Sequence, residues 1–169
     1  VCLALPSIPL NHPDRYALDL LSVILGEGMS SRLFQELRER RGLAYEVHSY
    51  AQHYLDSGAV MVYAGVDPGN ATKAIKALLE ELGKLRERIP EEELSKAREL
   101  SKGRLMLSME DTRAVSGWLG AQELLTSQVK TVDDIVSALD SITTGDLQRV
   151  AIQLLVPEKL NMAVVGPFR

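Results

Sequence analysis

The sequence has a single cysteine, Cys2, in 169 residues. One thiol permits no internal disulfide, so the fold must rest on its core, and a reducing compartment is expected. No apolar run reaches the roughly 18 residues needed to cross a bilayer, and the start lacks the basic region and cleavage site of a secretory signal. Cytoplasmic residence in a bacterium, with no membrane partner, is the resulting expectation. No basic face stands out either. Lys and Arg number 19 against 23 Asp and Glu, for a net charge of -4, and the cations are spread along the chain, which argues against nucleic acid as a partner. There is no internal repeat and no low-complexity tract.

Chemical motifs are also scarce. The three histidines, His12, His48 and His53, form no His-x-x-Glu-His or His-Glu-x-x-His run. His48 and His53 have opposite parity along one expected strand and so face opposite sides of a sheet, and no metal site is expected within this chain. Ser30 and Ser31 follow Gly26-Glu27-Gly28, but the Gly-x-Ser-x-Gly pattern of a nucleophile elbow is missing, as is the lysine of a phosphate-binding loop. Capping of a helix explains these serines better.

What is present is the balance of a globular domain, 46% hydrophobic and 25% charged, in a chain long enough to bury a sizeable core. An apolar strand over 1–5 closes at Pro6 and Pro9. A helix follows over 16–25, opened at Asn11-His12-Pro13 and ended by Gly26 and Gly28. A second helix over 32–40 carries Leu33, Phe34 and Leu37 inward and stops at Gly42. Strands over 44–54 and 59–66 flank the turn signal Asp56-Ser57-Gly58 and make a hairpin. Helices are then expected over 71–88, from Pro90 to about 109, and over 111–125, 132–139 and 144–154. The third of these holds Trp118 as a core residue. A last strand covers 160–165. Residues 1–169 thus read as one domain of the α+β class: a mostly antiparallel sheet of about four or more strands, covered on one face by helices. A strand at the first residue, with no initiator Met, suggests a piece of a longer protein.

One constellation carries chemistry. In Leu37-Arg38-Glu39-Arg40-Arg41-Gly42-Leu43-Ala44-Tyr45, a glycine turns the chain from helix to strand. Arg38 sits about one turn before the helix end and Tyr45 at the strand start, so a guanidinium and a phenol can converge. Both donate hydrogen bonds, and Arg keeps its charge at any working pH. Such a pair suits a peptide carbonyl or the oxyanion that develops from it. The residues alone also read, more simply, as a solvated helix face beside an amphipathic core tyrosine.

The stretch Leu25-Gly26-Glu27-Gly28-Met29-Ser30-Ser31-Arg32-Leu33-Phe34-Gln35-Glu36-Leu37-Arg38, with Gly42-Leu43-Ala44-Tyr45-Glu46-Val47 after it, resembles the carboxy-terminal domain of pitrilysin/insulinase-type zinc metallopeptidases. The nearest likeness is to bacterial proteins similar to the mitochondrial processing peptidase. It extends to Asp14-Arg15-Tyr16-Ala17 and to the closing Asn161-Met162-Ala163-Val164-Val165-Gly166-Pro167. The resemblance implies a clamshell enzyme whose zinc and water-activating glutamate lie in an amino-terminal domain absent here. It implies that an Arg and a Tyr seven residues apart, matching Arg38 and Tyr45, contact the substrate and its transition state from the opposing half. Zinc belongs to the parent protein and this chain holds no cofactor. The partners implied are the zinc-bearing domain, peptide substrates and a dimer of full-length chains. The isolated domain is then inactive. A non-catalytic partner or structural core subunit of the same fold is the alternative.

Overall fold

The computed structural model describes residues 1–167. The elements run β1 (Cys2–Ser7), α1 (Arg15–Gly26), a π-helix (Phe34–Arg40), β2 (Ala44–His53), β3 (Gly58–Val66), α2 (Ala71–Lys84), α3 (Glu91–Ser108), α4 (Thr112–Thr126), α5 (Val132–Ser141), α6 (Thr144–Leu154) and β4 (Asn161–Ala163), with short 3-10 turns at Pro68–Asn70 and Pro157–Lys159. The class is α+β. The four strands form one antiparallel sheet in the order β2-β3-β1-β4.

The period-two alternation of the strands gives the sheet two unlike faces. Leu3 and Leu5 of β1, Val60, Val62 and Ala64 of β3, and Val47 and Ser49 of β2 are buried under the helices. Their neighbours Glu46, Tyr50 and Tyr63 are exposed on the other side. α1 forms the centre of the helical layer, with nine of its twelve residues buried, including Leu18, Leu20, Leu21 and Leu25. Cutting back one such leucine to alanine costs about 2–5 kcal/mol, since the cavity closes only in part.

Polar ties fix α1 against its neighbours. Arg149 of α6 grips Asp14 at the start of α1 through two bonds of 2.9 and 2.6 Å, and this holds the Asp14 carboxyl below the usual carboxylate range. His53, at the end of β2 with a side chain only 7% exposed, reaches the Asp19 carboxylate through Nε2 and the Ile8 carbonyl through Nδ1, each at 2.9 Å. α5 and α6 begin at reciprocal caps, Thr131 with Asp134 and Thr143 with Asp146, a device worth about 0.5–2 kcal/mol each.

Several expectations need correction. The second helix is not an α-helix but a π-helix from Phe34, closed by a bond from the Arg41 amide to the Glu36 carbonyl five residues back. No side-chain cap opens it: the Ser31 hydroxyl instead donates to the Gly28 carbonyl at 2.7 Å. α2 ends at Lys84 rather than 88 and passes into tight turns in which the Arg86 and Glu87 amides donate to the Gly83 and Lys84 carbonyls, after which Ile89 enters the core. β4 is shorter than expected, Asn161–Ala163, and pairs with Ala4, Leu3 and Cys2. Trp118 is not core. It is half-buried on α4, none of whose fifteen residues is buried.

Candidate functional site

The π-helix is anchored by Leu33 and Leu37, both fully buried, and its polar side faces solvent. The chain reverses at Gly42, which adopts φ of +58°, a left-handed conformation costly to residues with a Cβ. The Leu43 amide then donates to the Leu37 carbonyl at 2.7 Å and clamps strand to helix. Arg38 and Tyr45 are thereby carried on the two limbs of one tight connection.

Arg38 is exposed, with its guanidinium carbon 5.0 Å from the centre of the Phe34 ring, a cation–π contact that holds the stem and leaves its donors open. Among the described residues no carboxylate pairs with it, whereas its neighbours are all engaged. Arg32 bonds Glu93, Arg40 bonds Glu36, and Arg41 bonds both Glu36 and Glu80. The Arg41 guanidinium, with Arg40 beside it, keeps Glu36 below the usual carboxylate range, so Glu36 is committed to that network. Among the described residues, Arg38 is the one guanidinium of this segment without an ion-pair partner.

Tyr45 occupies a bulge. Ala44 pairs with Val66 and Glu46 with Gly65, which leaves Tyr45 as the extra residue, aimed off the ladder. Its side chain is 69% exposed. The ring lies across Gly65 of β3 so closely that a Cβ there would come within 2.5 Å of Tyr45 Cζ and 2.8 Å of its hydroxyl oxygen. Gly65 is the residue that the motif reading missed. Its signal was a glycine inside a strand, which marks a close approach.

A cleft of about 880 Å³ lies elsewhere, between the end of α1, the π-helix, the end of α2 and the start of α3. Neither Arg38 nor Tyr45 lines it. Arg32 pairs with Glu93 and Lys84 with the buried Glu81 at 2.6 Å within it, while Glu87 and Arg88 at its edge are exposed and have no ion-pair partner among the described residues. His48 and His53 fall on opposite sheet faces, and no three His, Cys, Asp or Glu side chains among the described residues are placed to hold a metal ion. The residues present do not fit a zinc site.

The comparisons with known proteins agree with this architecture. The family profile described as the peptidase M16 inactive domain matches residues 1–101. An uncharacterized zinc protease from Streptomyces coelicolor is 36% identical over 170 residues, covering 100% of this chain and 37% of its own length. A protease from Helicobacter pylori has the same fold with a TM-score of 0.85 at 28% identity, over 94% of this chain and 39% of that one. A chain of complex III2 from Candida albicans also superposes, with a TM-score of 0.85 at 19% identity, over 94% of this chain and 40% of its own, which speaks to fold alone. The chain belongs to the M16 peptidase family, as its inactive domain. It spans about two-fifths of the relatives it matches. No helix among the described residues is long and apolar enough to cross a membrane.

Proposed function

We propose that this domain is the substrate-contacting carboxy-terminal part of a zinc-dependent endopeptidase, and that Arg38 and Tyr45 bind the peptide where it is cut. The observation that carries the reading is the isolation of Arg38: every other arginine of its segment is spent on a carboxylate. An exposed guanidinium with no ion-pair partner among the described residues and an exposed phenol, carried on the two limbs of one turn, are donors to which a peptide carbonyl or its tetrahedral oxyanion supplies the acceptor. Preorganised donors of this kind stabilise charge as it develops, and loss of one typically lowers the rate about 10²–10³-fold. In this reading zinc and its hydrolytic chemistry belong to another domain of the full-length protein. The chain's own contribution is to orient the peptide and receive the negative charge.

α4 supports a second domain. Leu119, Leu124 and Leu125 are 40%, 84% and 45% exposed on a helix that buries nothing. A lone helix of this length is marginal in water, and its apolar side chains call for a cover. The zinc-bearing domain is the assigned cover, and a dimer of full-length chains completes the chamber. The single cysteine keeps the reading in a reducing, cytoplasmic setting.

A non-catalytic partner or structural core subunit of the same fold is the second reading. One experiment separates the two. In the full-length protein, Arg38→Ala and Tyr45→Phe are compared with wild type on a fluorogenic peptide. The substrate-contacting reading expects kcat/KM to fall about 10²-fold for Arg38→Ala. Unchanged hydrolysis in both variants, or none in the wild type, rejects it.

A further inference from the structure

The open face of the sheet holds more than Tyr45. Gly65, beneath Tyr45, is followed on the same face of β3 by Tyr63, two residues away and so about 6.8 Å along the strand. Tyr63 pairs across the ladder with His48 of β2, and Tyr50 follows His48 on that same face. The His48 ring lies 5.1 Å from that of Tyr63 and 6.1 Å from that of Tyr50, at interplanar angles of 28° and 26°. None of the three rings belongs to the core: Tyr63 is 36% exposed, Tyr50 39%, and the His48 side chain 43%. On the other flank of Tyr63 the face falls away to the small side chains of Cys2, which pairs with it, and Ala4. The result is a step, with aromatic rings as its riser and small residues as its tread.

The geometry points to a side-chain subsite here: Tyr63, His48 and Tyr50 receive an aromatic residue of the substrate peptide held at Tyr45. The inference rests on the proposed function, and it names the class of residue selected. His48 stacks on both tyrosines, which leaves the flank of Tyr63 above the tread free. A free tyrosine ring suits a further aromatic ring in offset or edge-to-face contact. A cationic side chain can also seek the same ring face. The low tread over Cys2 and Ala4 admits a flat group lying against the sheet. One carboxylate adjoins the step, Glu46, whose Oε1 lies 3.8 Å from His48 Nδ1. A basic substrate residue drawn to Glu46 is therefore the competing outcome.

The test uses the full-length protein and peptides that differ at one residue, Phe, Leu or Arg, scanned through the positions flanking the cleaved bond. Phe and Leu have similar apolar size, so their ratio isolates the ring contact. Wild type is expected to favour Phe over Leu at one position by about three- to tenfold in kcat/KM. That ratio should fall to near one in Tyr63→Leu and in His48→Ser, with melting temperatures checked for both. If Tyr63→Leu does not fold, His48→Ser decides. A ratio that survives in the folded variants, a preference for Arg at that position, or no aromatic preference anywhere overturns the subsite. Arg38→Ala is run alongside: if it abolishes hydrolysis while Tyr63→Leu keeps the preference, the subsite alone fails. If Arg38→Ala is as active as wild type, the proposed function fails with it.

Discussion

Tyr45 lies flat across Gly65, ring against bare backbone, and that contact positions an otherwise exposed side chain. Gly65 therefore acts on the candidate site without touching a peptide itself. Gly65→Ala places a methyl group 2.5 Å from Tyr45 Cζ, which no real Cβ contact tolerates, and the ring must lift. We expect the variant to match Tyr45→Phe or exceed it in loss of kcat/KM, while its melting temperature changes little because Tyr45 is mostly solvated. A wild-type rate in a folded Gly65→Ala protein counts against a role for Tyr45.

Gly42 is a different case, since nothing lies near where its Cβ would be. Any cost of Gly42→Ala comes from the left-handed backbone alone, about 1–2 kcal/mol by denaturant unfolding. Gly42→Asn should cost less, because asparagine tolerates that conformation better. Equal stability for all three residues would show that the turn relaxes.

His53 gives the domain a pH signature. Its hydrogen bond to Asp19, with a further bond to Ile8, raises its pKa above the ordinary 6.5 despite burial. A raised folded-state pKa contributes stability that is full below about pH 6.5 and is lost as the pH climbs through the folded value. Thermal unfolding between pH 5.5 and 8.5 should show this decline in wild type and a flatter profile in Asp19→Asn. An NMR titration placing the His53 pKa at or below 6.5 refutes the assignment.

α4 offers a test of the assembly. Leu119→Glu with Leu124→Glu should leave the melting temperature of this domain nearly unchanged, because neither side chain is buried in it. In the full-length protein the same pair should weaken packing between domains, seen as faster amide exchange in α4. Unaltered exchange there would mean that α4 faces solvent in the whole protein too.

Much of the fold was legible from local pattern. α1, the hairpin and α6 follow from apolar periodicity and turn residues, because each buries a face that its own spacing defines. What was not legible depends on distant partners. The π-helix turns on a clamp between Leu37 and Leu43 and the ion pairs of Glu36, neither of which periodicity records. Trp118 read as core because α4 is apolar, and apolarity does not say whether the cover lies in the same chain. At the candidate site Arg38 and Tyr45 were legible as residues, but the pairing that leaves Arg38 free and the approach of Tyr45 to Gly65 required the tertiary structure.

The central claim is that Arg38 and Tyr45 donate to a peptide, and a structure of the metal-depleted full-length protein with a bound peptide tests it most directly. The account predicts the Arg38 guanidinium and the Tyr45 hydroxyl at about 2.7–3.2 Å from carbonyl oxygens beside the bond to be cut. A bound peptide with both side chains still turned to solvent would contradict it.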